Sequence, residues 1–135
     1  MYGPNDSATK FTTKVFRECL QNKPFIELTP GNQMRDFIYI DDVVSAFKEV
    51  IEDLTIFPFY KELEVGSGKA LTIRSFVEMV HQITNSKSTL KFGAIPYRSK
   101  EVMFSEANLT EIKKIGWVPK IELEIGLTRM LREEL

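Results

Sequence analysis

Arg35-Asp36-Phe37-Ile38-Tyr39-Ile40-Asp41-Asp42-Val43-Val44 joins a strand-like run to the start of a helix, with an arginine at its head. Residues 35–40 are rich in aromatic and β-branched side chains, the composition of an extended segment. Asp41 is a good N-cap, and acids at 41 and 42 suit the positive end of a helix. Behind them Val43, Val44, Phe47, Val50, Ile51 and Leu54 recur at helical spacing, which predicts an apolar stripe turned toward a core. An arginine next to a strand-to-helix junction reads as a substrate-site residue.

Strand and helix signals alternate on both sides of this run. Residues 8–21 read as a helix after the Gly3-Pro4-Asn5-Asp6 turn, with Val15, Phe16, Cys19 and Leu20 on one face. Phe25 to Thr29 reads as a short strand stopped by Pro30-Gly31-Asn32, and Pro58 is expected to end the connection after the helix of residues 41–54. Glu62-Leu63-Glu64-Val65 alternates polar and apolar like a half-buried strand, and Gly66-Ser67-Gly68 turns it into a helix with Ile73, Phe76, Val77, Val80 and Ile83 inward. A further strand is expected at Leu90 to Phe92, then a loop from Gly93 to about Ala107. Asn108-x-x-Glu111 has capping-box form ahead of a short helix ended by Gly116, and Leu123, Leu127, Met130 and Leu131 mark a last amphipathic helix. This alternation predicts an α/β fold with a small mixed, largely parallel sheet and flanking helices.

With 135 residues, 43% of them hydrophobic, the chain fits one domain with its own core. A net charge of −1 with both signs scattered gives no basic stripe for nucleic acid. No stretch approaches the roughly 20 apolar residues that span a bilayer, so neither a membrane nor a secretory route is expected, and the location read from the sequence is cytoplasmic. A lone cysteine, Cys19, and a lone histidine, His81, leave no set of zinc ligands and no intrachain disulfide.

Two stretches carry possible chemistry. Gly66-Ser67-Gly68-Lys69 suggests a phosphate loop, but that motif needs a glycine where Leu63 stands and a hydroxyl residue where Ala70 stands, so a plain tight turn is expected. Arg98-Ser99-Lys100-Glu101 sets a guanidinium that can grip a diphosphate three residues before a carboxylate that can accept from ribose hydroxyls. On the residues alone an ordinary solvated loop fits this stretch equally well. His81 has no carboxylate or serine partner in its turn and reads as a boundary residue.

The Arg35 run, Pro96-Tyr97-Arg98-Ser99-Lys100-Glu101-Val102, Ala107-Asn108-Leu109-Thr110 and Gly116-Trp117-Val118-Pro119 together resemble blocks of the extended short-chain dehydrogenase/reductases. This is the NAD-dependent epimerase/dehydratase family, which acts on nucleotide-sugars. Two positions depart from the pattern: Ser99-Lys100 replaces the Pro-Gly after the arginine, and Ile115 replaces a leucine. The resemblance implies that Arg35 and Arg98 hold the substrate diphosphate, that Glu101 holds the ribose, and that the aspartates at 41 and 42 cap the following helix. Lys10-Phe11 resembles the opening of the family's helix near the nucleotide, and Ile26-Glu27-Leu28-Thr29 the strand beside the base. Thr29 stands where an aromatic is common, which leans toward cytidine or thymidine over uridine. Met1-Tyr2-Gly3-Pro4 resembles the segment that passes the nicotinamide ring.

The sequence contains no G-x-x-G-x-x-G and no Tyr-x-x-x-Lys pair. Residues 1–135 therefore read as a nucleotide-sugar-binding domain without the N-terminal dinucleotide-binding Rossmann domain, and with no catalytic residue of their own. NAD or NADP is the cofactor implied for a full-length epimerase, dehydratase or 4-ketoreductase, and neither is expected to bind this chain alone. A non-catalytic binding or regulatory module on the same scaffold, and a truncated fragment without activity, are the competing readings. An exposed apolar face is expected around Met1 to Pro4 and the start of the Arg35 strand, with concentration-dependent self-association through it or a disordered N-terminus.

Overall fold

The computed structural model describes residues 1–52 and 60–134. Helix α1 (Phe11–Leu20) is followed by strands β1 (Phe25–Leu28) and β2 (Met34–Asp36), helix α2 (Ile40–Glu52), strand β3 (Ala70–Thr72), helix α3 (Ile73–Ile83), strands β4 (Thr89–Phe92) and β5 (Phe104–Ser105), and helices α4 (Thr110–Lys113) and α5 (Leu123–Glu134). The α/β class and the largely parallel pairing hold, but the strands divide between two small sheets. β1 lies parallel to β4 with Phe25 opposite Thr89, while β2 sits between antiparallel β3 and parallel β5.

The main core is built by the faces the periodicity predicts. Val15, Phe16 and Cys19 of α1, Ile26 and Leu28 of β1, Phe76, Val77 and Val80 of α3, and Leu127 and Met130 of α5 close on one another, and Phe37 stacks on Phe76 with ring centroids 4.2 Å apart. Burial pushes the Cys19 thiol up to about 11, against a weaker opposing hydrogen bond with Ser86, so it is an inert core thiol. Tyr2 is also core: it is 1% exposed, bridges Tyr39, and donates from its hydroxyl to the Leu123 carbonyl at 3.2 Å. Gly126 permits that approach, since a Cβ there would lie 2.1 Å from the Tyr2 hydroxyl. A second cluster joins Ile38, Ala46, Leu109, Ile112 and Trp117.

Several local expectations are corrected. In the run at 35–40 the sheet strand ends at Asp36, leaving one isolated parallel bridge from Tyr39 to Tyr2, and α2 opens at Ile40, so Asp41 lies inside the first turn, where its carboxylate accepts from Arg129 at 3.2 Å. Asp42 is buried but does not cap its own helix; it accepts the backbone N–H groups of Lys120 and Ile121 just ahead of α5, which compensates its charge in the core. Asp42 and Ala46 point inward with Val43 packed beside them on the second cluster, so the expected apolar stripe of α2 is split: Val44, Phe47 and Ile51 are each at least 60% exposed. Exposed apolar surface therefore lies on α2, while at the N-terminus only Met1 is open and Tyr2 and Gly3 are buried. The expected helix end at Leu54 and break at Pro58 fall outside the described residues.

Residues 62–65 keep an alternating exposure but belong to no strand; the ladder next to β2 is taken by Ala70–Thr72, beyond the glycine turn. The long loop after β4 is interrupted by β5. The capping box at 108–111 does not close, because Asn108 turns its own chain by accepting from Thr110 N–H while Glu111 reaches Lys61 and Lys114. Gly116 ends that region with φ at +87°, as its position implies.

One carboxylate joins these pieces. Asp36 Oδ1 accepts from the Ser67 N–H at 2.7 Å and hydroxyl at 2.6 Å, and Oδ2 accepts from the N–H groups of Gly68 at 2.9 Å and Ala107 at 3.2 Å. Gly66 makes room, since a Cβ there would fall 2.5 Å from Oδ2 and 2.4 Å from the Ala107 Cβ. Asp36→Ala strands several donors at once and is expected to lower stability by on the order of 3 kcal/mol in urea unfolding, with Lys69→Ala near neutral as an exposed control.

Candidate functional site

The loop after β4 is fastened along residues 28–35. Ile95 N–H donates to the Leu28 carbonyl at 3.1 Å, Asn32 N–H donates to the Tyr97 hydroxyl at 3.0 Å, and Met34 N–H donates to the Met103 carbonyl at 2.8 Å. Between the last two, Arg35 Nη2 donates to Glu101 Oε1 at 2.7 Å, while its Nη1 donates to the Met34 carbonyl at 2.8 Å. The Arg35 and Glu101 side chains retain 27% and 19% of their exposure. A guanidinium that is neither fully solvated nor buried, beside a carboxylate in the same state, is suited to charged hydrogen bonding with a ligand.

Arg98 opens the turn that carries Glu101: the Glu101 N–H donates to the Arg98 carbonyl at 3.1 Å. Its side chain is exposed and makes no ion pair among the described residues. Arg35 and Glu101, separated by 66 residues in sequence, thus meet at one loop-strand junction, with Arg98 on the same turn as Glu101 and its side chain open to solvent. Thr29 follows β1 on the same fastened segment, and its hydroxyl accepts from Gln33 Nε2 at 3.0 Å. Glu27 is exposed on β1 opposite Lys91.

The other expected residues have partners of their own. Lys10 precedes α1 with Nζ on Asp6 at 2.9 Å, and Phe11 opens the helix, half turned to solvent, 6.2 Å from the Phe76 ring. Of Met1 to Pro4, Tyr2 and Gly3 are packing residues, Gly3 lying against Ile40. His81 Nε2 bonds the Ser88 carbonyl at 2.8 Å, a structural role. A cavity of about 320 Å³ lies elsewhere, with Lys69, Lys113 and Lys120 in its wall, and none of the expected site residues lines it.

The NAD dependent epimerase/dehydratase family model matches residues 1–66. CDP-abequose synthase of Salmonella typhimurium is 36% identical over 135 residues, covering 98% of this chain and 45% of that protein. The chain belongs to the NAD-dependent epimerase/dehydratase family. Solved structures agree in fold: UDP-glucose 4-epimerase of Thermotoga maritima with UDP-glucose superposes with a TM-score of 0.81 at 23% identity, over 98% of this chain and 43% of that one. The Thermus thermophilus UDP-glucose 4-epimerase complex with NAD gives 0.81 at 20% identity, over 97% and 42%. The chain spans less than half the length of the relatives it matches.

The NAD of such family members needs backbone amides around its pyrophosphate. The G-x-G turn of this chain does not offer them, because the Ser67 and Gly68 N–H groups already hold the Asp36 carboxylate. A bound anion is indeed present at this turn, but it is the protein's own. No hydride step is therefore assigned to these residues.

Three neighbours of the junction escaped sequence reading. Gln33 is 7% exposed, and its carbonyl Oε1 has no partner among the described residues. Tyr97 anchors Asn32 by its hydroxyl. Arg74 lies over the Phe92 ring at 3.8 Å and donates to the Pro30 carbonyl at 3.2 Å. Nothing in the local pattern marks them: Tyr97 and Arg74 act across gaps of chain, the Gln33 side chain reaches only Thr29, and only Tyr97 lies inside a family block. Calorimetric titration of this chain with NAD and NADP should give no binding heat, and a dissociation constant in the micromolar range for either would contradict the assignment of the turn.

Proposed function

We propose that this chain is the substrate-binding part of an NAD(P)-dependent nucleotide-sugar epimerase, dehydratase or 4-ketoreductase. The observation that carries this reading is the Arg35–Glu101 contact at 2.7 Å, held by a loop fastened to residues 28–35 on either side of it. Arg35 and Arg98 take the two ends of the diphosphate, whose oxygens match planar guanidinium groups. Glu101 accepts from the ribose hydroxyls. Thr29 and Glu27 lie beside the base, and the CDP-sugar named in the Salmonella relative supports cytidine, in line with a hydroxyl at position 29 in place of an aromatic ring. Lys10 and Phe11 lie at the nucleotide end of α1.

The contribution of these residues is positioning. Charged contacts to a diphosphate are remote from the reacting sugar carbon, and their value lies in presenting that carbon in one geometry. In a full-length enzyme the bound nicotinamide supplies the hydride chemistry. The proton and hydride machinery is not assigned to any residue of this chain.

The test is calorimetry with cytidine, uridine and thymidine diphosphates. Each charged contact is worth on the order of 1.5–3 kcal/mol, so Arg35→Ala and Arg98→Ala should each weaken nucleoside diphosphate binding about ten- to a hundredfold. Lys69→Ala, whose ammonium pairs with exposed Glu122, should leave it unchanged. Full retention of affinity in both arginine variants would remove the assignment.

A further inference from the structure

We infer that Glu101 is a specificity residue that makes diphosphate binding conditional on an attached ribose, so that the site rejects inorganic phosphate and diphosphate. The inference rests on the diphosphate reading of Arg35 above and goes beyond it. Its basis is that the two residues given separate ligands, phosphate and ribose, are in contact with each other. Arg35 Nη2 donates to Glu101 Oε1 at 2.7 Å, so the positive charge meant for phosphate is already balanced by a carboxylate.

The consequence follows from charge counting. A guanidinium has five N–H donors, and two hydrogen bonds are recorded for Arg35, so donors remain for a phosphate oxygen. What Glu101 removes is net charge. An anion without hydroxyl groups gains the Arg35 donors but meets the repulsion of a carboxylate at contact distance, in a setting where both side chains are mostly shielded from water. A nucleoside diphosphate carries a diol close to its phosphates. Those hydroxyls donate to Glu101, spread its charge into new hydrogen bonds, and so lower the repulsion felt by the diphosphate.

The loop geometry keeps Glu101 in place to do this. It is the last residue of the turn closed by the Glu101 N–H to Arg98 carbonyl bond, and Met103 is tied to β2 two residues later. The carboxylate therefore cannot drift far from Arg35 when a ligand arrives. Ribose binding and phosphate binding are coupled through one side chain, and the coupling is reciprocal.

The experiment is magnesium-free calorimetry of this chain and of Glu101→Gln, which keeps the shape and removes the charge. The probes are cytidine 5′-diphosphate, its 2′,3′-dideoxy counterpart and inorganic diphosphate. The unsubstituted chain should bind the ribose form about tenfold more tightly than the dideoxy form, and Glu101→Gln should gain about tenfold for inorganic diphosphate while the ribose and dideoxy forms converge, within the usual range for coupled sites. If Glu101→Gln still binds cytidine diphosphate but gains nothing for inorganic diphosphate, the inference is overturned while the diphosphate site stands. If Glu101→Gln does not fold, the unsubstituted chain decides alone: equal affinity for the ribose and dideoxy forms overturns it. Failure of the unsubstituted chain to bind any nucleoside diphosphate removes the parent reading and the inference together.

Discussion

The Asp36 carboxylate is the constraint on which the site depends. It accepts four hydrogen bonds from two separate parts of the chain, the turn at Ser67 and Gly68 and the segment at Ala107. Successive residues of a strand point to opposite faces. Asp36 therefore locks β2 against the glycine turn on one side, and Arg35, the next residue back, is delivered to the Glu101 loop on the other. A two-residue motif ties β2 to the glycine turn with one side chain and to the Glu101 loop with the other, and the Arg35 side chain stays partly open.

A second buried carboxylate repeats the device. Asp42 receives the amides of Lys120 and Ile121 and so joins the start of α2 to the entry of α5. Both acids are local to the run that resembles the family pattern, and both act on chain far away. The pattern thus records a set of tertiary hydrogen bonds as much as a binding site. It also explains the orientation of α2, where satisfying Asp42 inward turns Val44, Phe47 and Ile51 to the outside.

Helical faces were legible where a single core decides them. The inward positions of α1, α3 and α5 follow from periodicity because each helix packs one apolar stripe on the same cluster. The α2 stripe was misread because periodicity reports an apolar face without saying what covers it, and a charge pointing inward at Asp42 has no periodic signature. Residues 62–65 were misread for a related reason: alternation marks a half-buried segment, while a strand also needs a partner, and β2 takes Ala70–Thr72 instead. At the site, Arg35, Arg98 and Glu101 were legible through the family blocks. The direct contact between Arg35 and Glu101 was not, since it depends on Tyr97, Met103 and Leu28 fastening a loop across sequence gaps that no local rule spans.

The most direct measurement is a two-dimensional NMR titration of this chain with cytidine 5′-diphosphate, following backbone amides and the arginine Nε–H signals. Shifts are expected at Lys10, Phe11, Glu27, Thr29, the Arg35 Nε–H and residues 97–101, with the Ser67 and Gly68 amides unmoved because Asp36 already holds them. Shifts centred on Ser67 to Lys69 and on Lys113 and Lys120, with Arg35 and Glu101 silent, would put the ligand in the other cavity and contradict the proposed site.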